Sequence, residues 1–215
     1  MRSTSPQQGF TLIELLGVVA VIGLLTGILL PTLGAARSAA LRAKTRVQFA
    51  QWTAALEQFR QEYGYYPAVG TGGRLATAAD TAKFVRTLSG RNVDGSAVAR
   101  IADLNGNVRR ITFQVFAAAD FFDPGHPDGG ADLDGDELLC DAFGNTEIGL
   151  LVDGNGDGLV RPGDDGPVAT VAGTQSGSGF APQESDLPAA GVKASVLIYT
   201  AGRGRSQADM ILSWK

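Results

Sequence analysis

The sequence predicts an α+β protein: a long N-terminal helix packed on a small antiparallel β-sheet with long acidic loops. Three observations lead there. Phe10 to Leu30 is apolar except for Glu14, apart from small residues and two threonines. Phe49, Trp52, Leu56, Phe59 and Tyr63 then recur at steps of three and four, which places them on one helix face. Beyond Gly64, short apolar runs alternate with stretches rich in Gly, Asp, Asn and Ser, the pattern of short strands and turns.

The 215 residues, 44% of them hydrophobic, suffice for one domain with a core and an appendage. Twenty-nine glycines and nine prolines predict a loop-rich body. A net charge of −4 and a pI near 5.0 argue against nucleic-acid binding. Cys140 is the single cysteine, so no intramolecular disulfide forms, and it reads as a buried free thiol. His126, the only histidine, lies between Gly and Pro in a loop, and no nucleophile motif accompanies it. No catalytic constellation is visible, so the protein is not read as an enzyme.

The 21 residues from Phe10 to Leu30 make a helix about 31 Å long, close to the hydrocarbon thickness of a bilayer. This predicts a transmembrane segment over residues 10–31. A cleaved secretory signal is the alternative, with Arg2 as its basic end and Gly34-Ala35-Ala36 as the cleavage region. Glu14 inside the apolar stretch and the continuing helical pattern weigh against it, because a charge at membrane depth costs roughly 2.5–3.5 kcal/mol. Ala-rich residues 35–44 favour helix, so one helix is expected from about Phe10 to about Tyr63, bent near Pro31 and ended by Gly64. Residues 32–63 form its amphipathic continuation. Arg37, Arg42, Lys44 and Arg46 follow the apolar stretch while only Arg2 precedes it, so a plain count of positive charges places the C-terminal side in the cytoplasm.

In the body, residues 64–215, Leu75 to Leu88 reads as a shorter helix stopped by Gly90. Ile111–Phe116, Ile148–Val152, Ala194–Thr200 and Met210–Trp214 read as strands. Residues 173–191, rich in Gly, Ser, Pro and Ala, read as an inserted loop.

Asp123 to Asp165 carries twelve acidic residues and one arginine, a run that must stay solvated or bind cations. From Asp153 to Asp164, oxygen-bearing side chains occupy loop positions 1, 3, 5 and 12 (Asp153, Asn155, Asp157, Asp164). Gly158 stands at 6, and Leu159 can offer its carbonyl. That is the ligand spacing of EF-hand-like Ca²⁺ loops, although no helix precedes it and the twelfth residue is Asp rather than Glu. A metal-free Gly/Asn/Asp turn is the alternative. Asp132, Asp134 and Asp136 form a second possible site.

Glu14 needs a partner, because intramembrane carboxylates are costly unless paired and no basic residue lies within the apolar stretch. A cut between Gly9 and Phe10 would create an α-amino group four residues before it. Gly9-Phe10-Thr11-Leu12-Ile13-Glu14-Leu15-Leu16 resembles the processing motif of type IV pilins and type II secretion pseudopilins, with Pro31 in register as well. The resemblance implies cleavage after Gly9 by a prepilin peptidase, N-methylation of Phe10, and a leader of residues 1–9. It further implies pairing of Glu14 with the amine of an adjacent subunit during filament assembly. It places a single-pass chain in a bacterial inner membrane with its body in the periplasm, against the charge count.

Tyr65-Tyr66-Pro67, Asp141-Ala142-Phe143-Gly144-Asn145 and the pair Val196–Gly202 and Asp209–Trp214 resemble, in order, segments of the major, G-type pseudopilin. The calcium loop of that family falls on Gly202–Gln207, where this chain has Arg203 and Arg205 and keeps only Asp209. The function implied is a structural subunit of a type II secretion pseudopilus that drives export across the outer membrane. Its partners would be the peptidase, further copies, other pseudopilins and an inner-membrane assembly platform. The alternatives are a type IV pilin, whose frequent C-terminal disulfide one cysteine cannot make, and a membrane-tethered calcium-dependent binding module. A secreted enzyme would require removal of everything up to about Ala36.

Overall fold

The computed structural model describes residues 12–123, 136–174 and 177–215, with the side chains of 28–32 also outside the description. Gly9, Phe10, His126, Asp132 and Asp134 therefore lie outside the described residues, as does the side chain of Pro31. The chain divides into two compact units, Met1–Ala40 and Leu41–Lys215.

Helix α1 runs Leu12–Tyr63 and carries the backbone of both expected halves. Gly64 ends it with φ +81, its N–H donating to the Arg60 carbonyl at 2.7 Å. A left-handed residue there lets the last turn close without a Cβ clash. From Leu12 to Gly27 the described side chains are apolar apart from Glu14 and Thr26 and stand open, Leu12 and Ile13 at 80% exposure and Leu24 at 68%. Among the described residues no helix is long and apolar enough to cross a membrane. Before the gap at 28–32 the described side chains run from Leu12 to Gly27, about 24 Å of helix, and beyond it Leu33 is again apolar and exposed. The expected span 10–31 therefore lies partly outside the described residues, at Phe10, Thr11 and the side chains of 28–32.

In the second unit the spacing expectation holds. Phe49, Trp52, Leu56 and Phe59 are buried on one face of α1. The first three meet α2, Ala78–Ser89, and a four-stranded antiparallel sheet of order β1-β4-β7-β8, while Phe59 packs on Tyr65 and Phe113. Its strands are Arg74–Leu75, Ile148–Val152, Val196–Thr200 and Ile211–Leu212. Two two-stranded pairs complete the body: β2 Phe121–Phe122 with β3 Leu138–Leu139, and β5 Val171–Ala172 with β6 Gly179–Phe180. The last pair gives the expected inserted loop at 173–191 a strand of its own.

α2 begins three residues later than Leu75 because Thr77 caps it, its hydroxyl accepting the Asp80 N–H at 3.1 Å. Gly90 ends it in the left-handed region, φ +69.

β4 and β7 are buried along almost their whole length, which explains why both read as continuous apolar runs rather than alternating ones. Ile148, Leu150, Val196 and Ile198 face α1 and α2, together with Trp52, Phe84 and Leu88. Leu151 and Leu197 face the opposite way, onto Val160 and Leu187. Tyr199 joins Val171 and Met210 on that side. The acidic and Gly-rich connections therefore cover the outer face of the sheet. Gly149 is required by this layering, since a Cβ there would lie 2.1 Å from the ring of Tyr199, its cross-strand neighbour. The Tyr199 hydroxyl is pushed up to about 12 by burial and donates to the Ala169 carbonyl at 2.7 Å.

Ile111–Phe116 corrects one expectation, because it is extended but not a strand. The Leu88 carbonyl takes the N–H of both Phe113 and Gln114, and Asn107 accepts the N–H of Ile111. Those bonds dock the segment beside α2, away from the edge of the sheet. Met210–Trp214 is likewise shortened to Ile211–Leu212.

Candidate functional site

The sequence points to two places, the start of α1 and the acidic loop after β4. Glu14 is in the first described turn of α1, where the helix dipole favours a carboxylate. It is exposed, amid Ile13, Leu15, Leu16 and Val18, each more than half exposed. An apolar surface wrapped around a whole helix is unstable in water and needs lipid or other helices around it. Gly9 and Phe10, the residues of the expected cut, are outside the described residues.

The loop Asp153–Asp165 takes the sharp turn expected at Gly158, φ +82. Asp153, 2% exposed, is its centre. Its carboxylate accepts the N–H groups of Gly156, Asp157 and Gly158 at 2.7, 3.2 and 2.9 Å. Asn155 accepts the Asp157 N–H, and Asp157 accepts that of Leu159, each at 2.9 Å. The Arg161 guanidinium pairs with Asp157 and holds its carboxyl below the usual carboxylate range. Asp164 is exposed. Asp165, which the spacing passed over, folds in instead and accepts the N–H groups of Gly154 and Arg161 at 3.0 and 2.8 Å. Asp153, Asn155 and Asp157 are thus brought together, whereas Asp164 is not. Among the described residues no group of three His, Cys, Asp or Glu side chains is arranged to hold a metal ion. Asp136 is described, but Asp132 and Asp134 are not.

The turn Asp141–Asn145 is a buried polar hub that composition and periodicity did not reveal. The Asp141 carboxylate accepts from the N–H of Phe143 and Asn145, the Asn145 amide and the Thr200 hydroxyl, at 2.8 to 3.0 Å. The Asn145 amide also donates to the Gly202 carbonyl at 2.6 Å, while its oxygen accepts the Thr174 N–H. One turn thereby ties β7, the 202–209 loop and the Thr174 strand end. In that loop Asp209 accepts the Arg205 N–H at 3.2 Å and lies 3.8 Å from the Arg42 guanidinium. Next to the hub, burial pushes the Cys140 thiol up to about 12, so it stays neutral, in line with the inert buried thiol expected.

A family model described as "Prokaryotic N-terminal methylation motif" matches residues 4–30. The chain is 31% identical over 72 residues to the type II secretion system core protein G of Escherichia coli K12. The match covers 34% of this chain and 50% of that protein, so the chain spans about half the length of this curated relative. No solved structure matches. The motif, the similarity to core protein G and the long helix carrying an α+β body agree with the resemblance read from Gly9 to Pro31: the chain matches an N-terminal methylation motif and is similar, over 34% of its length, to core protein G.

Proposed function

We propose that the protein is a subunit of a type II secretion pseudopilus. It would insert by residues 10–31, be cut after Gly9 and methylated on Phe10, and polymerise in the periplasm to move proteins across the outer membrane. The observation that carries this reading is Glu14 on an all-round apolar, fully open helix start, one turn beyond the Gly9–Phe10 junction. Hydrolysis of that amide bond leaves an ammonium on Phe10. In lipid, where charges are weakly screened, a carboxylate gains from a cation on a neighbouring chain far more than it would in water. Such a pair would fix the stagger of one helix against the next. The peptidase, an assembly platform and other pseudopilins are the partners this route needs.

The test is the intact mass and N-terminal sequence of the protein from its native membrane. A chain beginning at Phe10 and heavier by one methyl group is expected. A chain beginning at Met1, or after Ala36, overturns the reading. Glu14→Ala then separates a filament subunit from a plain tether: insertion persists in both, but only the subunit loses assembly.

The proposal extends to Ca²⁺ in the loop Asp153–Asp165. Asp153, Asn155, Asp157 and the Leu159 carbonyl would be its donors, with Asp164 or Asp165 closing the site once Arg161 releases Asp157. Millimolar Ca²⁺ is expected to raise the melting midpoint of the protein, and Asp157→Ala to remove the rise. A midpoint indifferent to Ca²⁺ leaves the loop as the self-satisfied turn.

A further inference from the structure

A groove of about 360 Å³ opens between the C-terminal half of α2, the turn 91–97 and the extended segment 112–116. Val85, Val93, Val115 and Phe116 give it an apolar floor, and Val115 is 75% exposed. Arg91 is the one charged residue that lines it, with two further arginines close by. The Arg91 guanidinium donates to the Gly95 carbonyl at 3.1 Å. Arg86 stands behind the rim, bonded to Asn92 at 2.9 Å. Arg110 packs its backbone against Gly90, where φ +69 and an approach within 3 Å leave no room for a Cβ, and bonds the Val98 carbonyl. Among the described residues none of these three guanidiniums forms an ion pair.

The distribution of charge selects an occupant. Residues 86–116 carry five arginines against two aspartates, Asp94 and Asp103. Residues 119–215 carry sixteen acidic residues against five basic ones. The cationic groove is thus set in a body that is otherwise acidic, within a chain of net charge −4. Two copies meeting groove to groove would oppose arginine with arginine, and two meeting acidic side to acidic side would also repel. Only a head-to-tail contact sets unlike charges against each other. A heterologous contact of that kind repeats without closing unless its rotation happens to form a ring, so it suits a filament.

We propose that the groove at 85–116 receives an acidic segment from residues 119–215 of a second copy. The second copy as occupant rests on the filament reading above. The apolar floor supplies affinity, and the arginines set direction and register. The contact would be separate from the one made by Glu14.

The test uses the full chain in membranes of cells that assemble it. Val115→Cys is paired with Asp164→Cys or Glu184→Cys, both exposed acidic positions, under mild oxidation. Val47→Cys, exposed on α1, serves as a second probe of assembly. A ladder of cross-linked chains from Val115→Cys with one acidic partner is expected. Adding Arg91→Glu with Arg110→Glu is expected to reduce that ladder at least tenfold while the folded body keeps its melting midpoint. A cross-linked dimer from Val47→Cys with no ladder from Val115→Cys and its acidic partners overturns the groove proposal and leaves the filament reading standing. Neither the dimer nor the ladder, with the chain present and folded, overturns both. Cross-linking of Val115→Cys to a different protein also overturns the proposal, because the occupant is then not a second copy.

Discussion

Trp52→Ala is expected to lower the stability of the body by about 4 kcal/mol, within the range for deleting a buried tryptophan. Trp52 is 1% exposed and is the largest side chain in the main core. Its ring centre lies 5.8 Å from Phe49, 5.4 Å from Phe84 edge-on and 6.4 Å from Phe116. These rings come from α1, α2 and the extended segment beside α2. The substitution therefore removes apolar burial and leaves a cavity that three separate elements would have to shift to fill. Aromatic pairing adds to the loss, at about 0.5–1.5 kcal/mol per pair. For a unit of this size the melting midpoint should fall by about 10 °C. Val115→Ala, at a 75% exposed site, is the control and should change stability by less than about 0.5 kcal/mol. If Trp52→Ala costs no more than the control, α1 does not pack on the body as described.

What the sequence disclosed and what it hid divide along a physical line. Five aromatic and leucine positions at helical spacing identified the face of α1 that meets the sheet, because a buried helix face repeats over many turns. The two five-residue strands, Ile148–Val152 and Val196–Thr200, were legible as apolar runs because both of their faces are covered. All six remaining described strands are two residues long, too short for any period to show. Ile111–Phe116 misled because alternation predicts an extended backbone, not which partner it finds. The Leu88 carbonyl and Asn107 claimed its donors first.

The candidate sites divide in the same way. Glu14 stood out because a lone charge in an apolar run demands an explanation. The calcium spacing predicted the Asp153–Gly158 turn, but put Asp164 where the fold puts Asp165. Spacing counts residues along the chain, whereas here the Gly163 N–H bonds the Gly166 carbonyl and turns the chain by one position. Arg91 beside Val115, with Arg86 and Arg110 near it, had no sequence motif at all. They became visible only when α2 and the 112–116 segment set them around one groove.

The buried hub at Asp141 gives the second large effect. Asp141→Ala is expected to destabilise the body by about 3 kcal/mol, since four aligned donors lose their acceptor in a site closed to water. The damage should be local as well as global. Without Asp141 the Asn145 amide is no longer held against the Gly202 carbonyl, so the 202–209 loop should loosen and trypsin should cut after Arg203 or Arg205 at concentrations that spare the native chain.

The pH dependence separates this carboxylate from those at the surface. Desolvation raises the Asp141 carboxyl above its ordinary 3.8, against the hydrogen bonds from Asn145, Thr200 and Phe143. A raised folded value means that the folded protein holds the proton more tightly than the unfolded chain. The associated stability is fully present below 3.8 and is lost as pH rises through the folded value. Asp157 and Asp186, lowered mainly by hydrogen bonds from Arg161 and Lys215, act in the opposite sense and lose their contribution as pH falls. The stability gap between the native protein and Asp141→Ala should therefore be widest below pH 3.8 and narrow as pH rises through the folded value. A gap that widens instead would mean that the four donors outweigh burial, so that the hub is held as a charged rather than a neutral carboxyl.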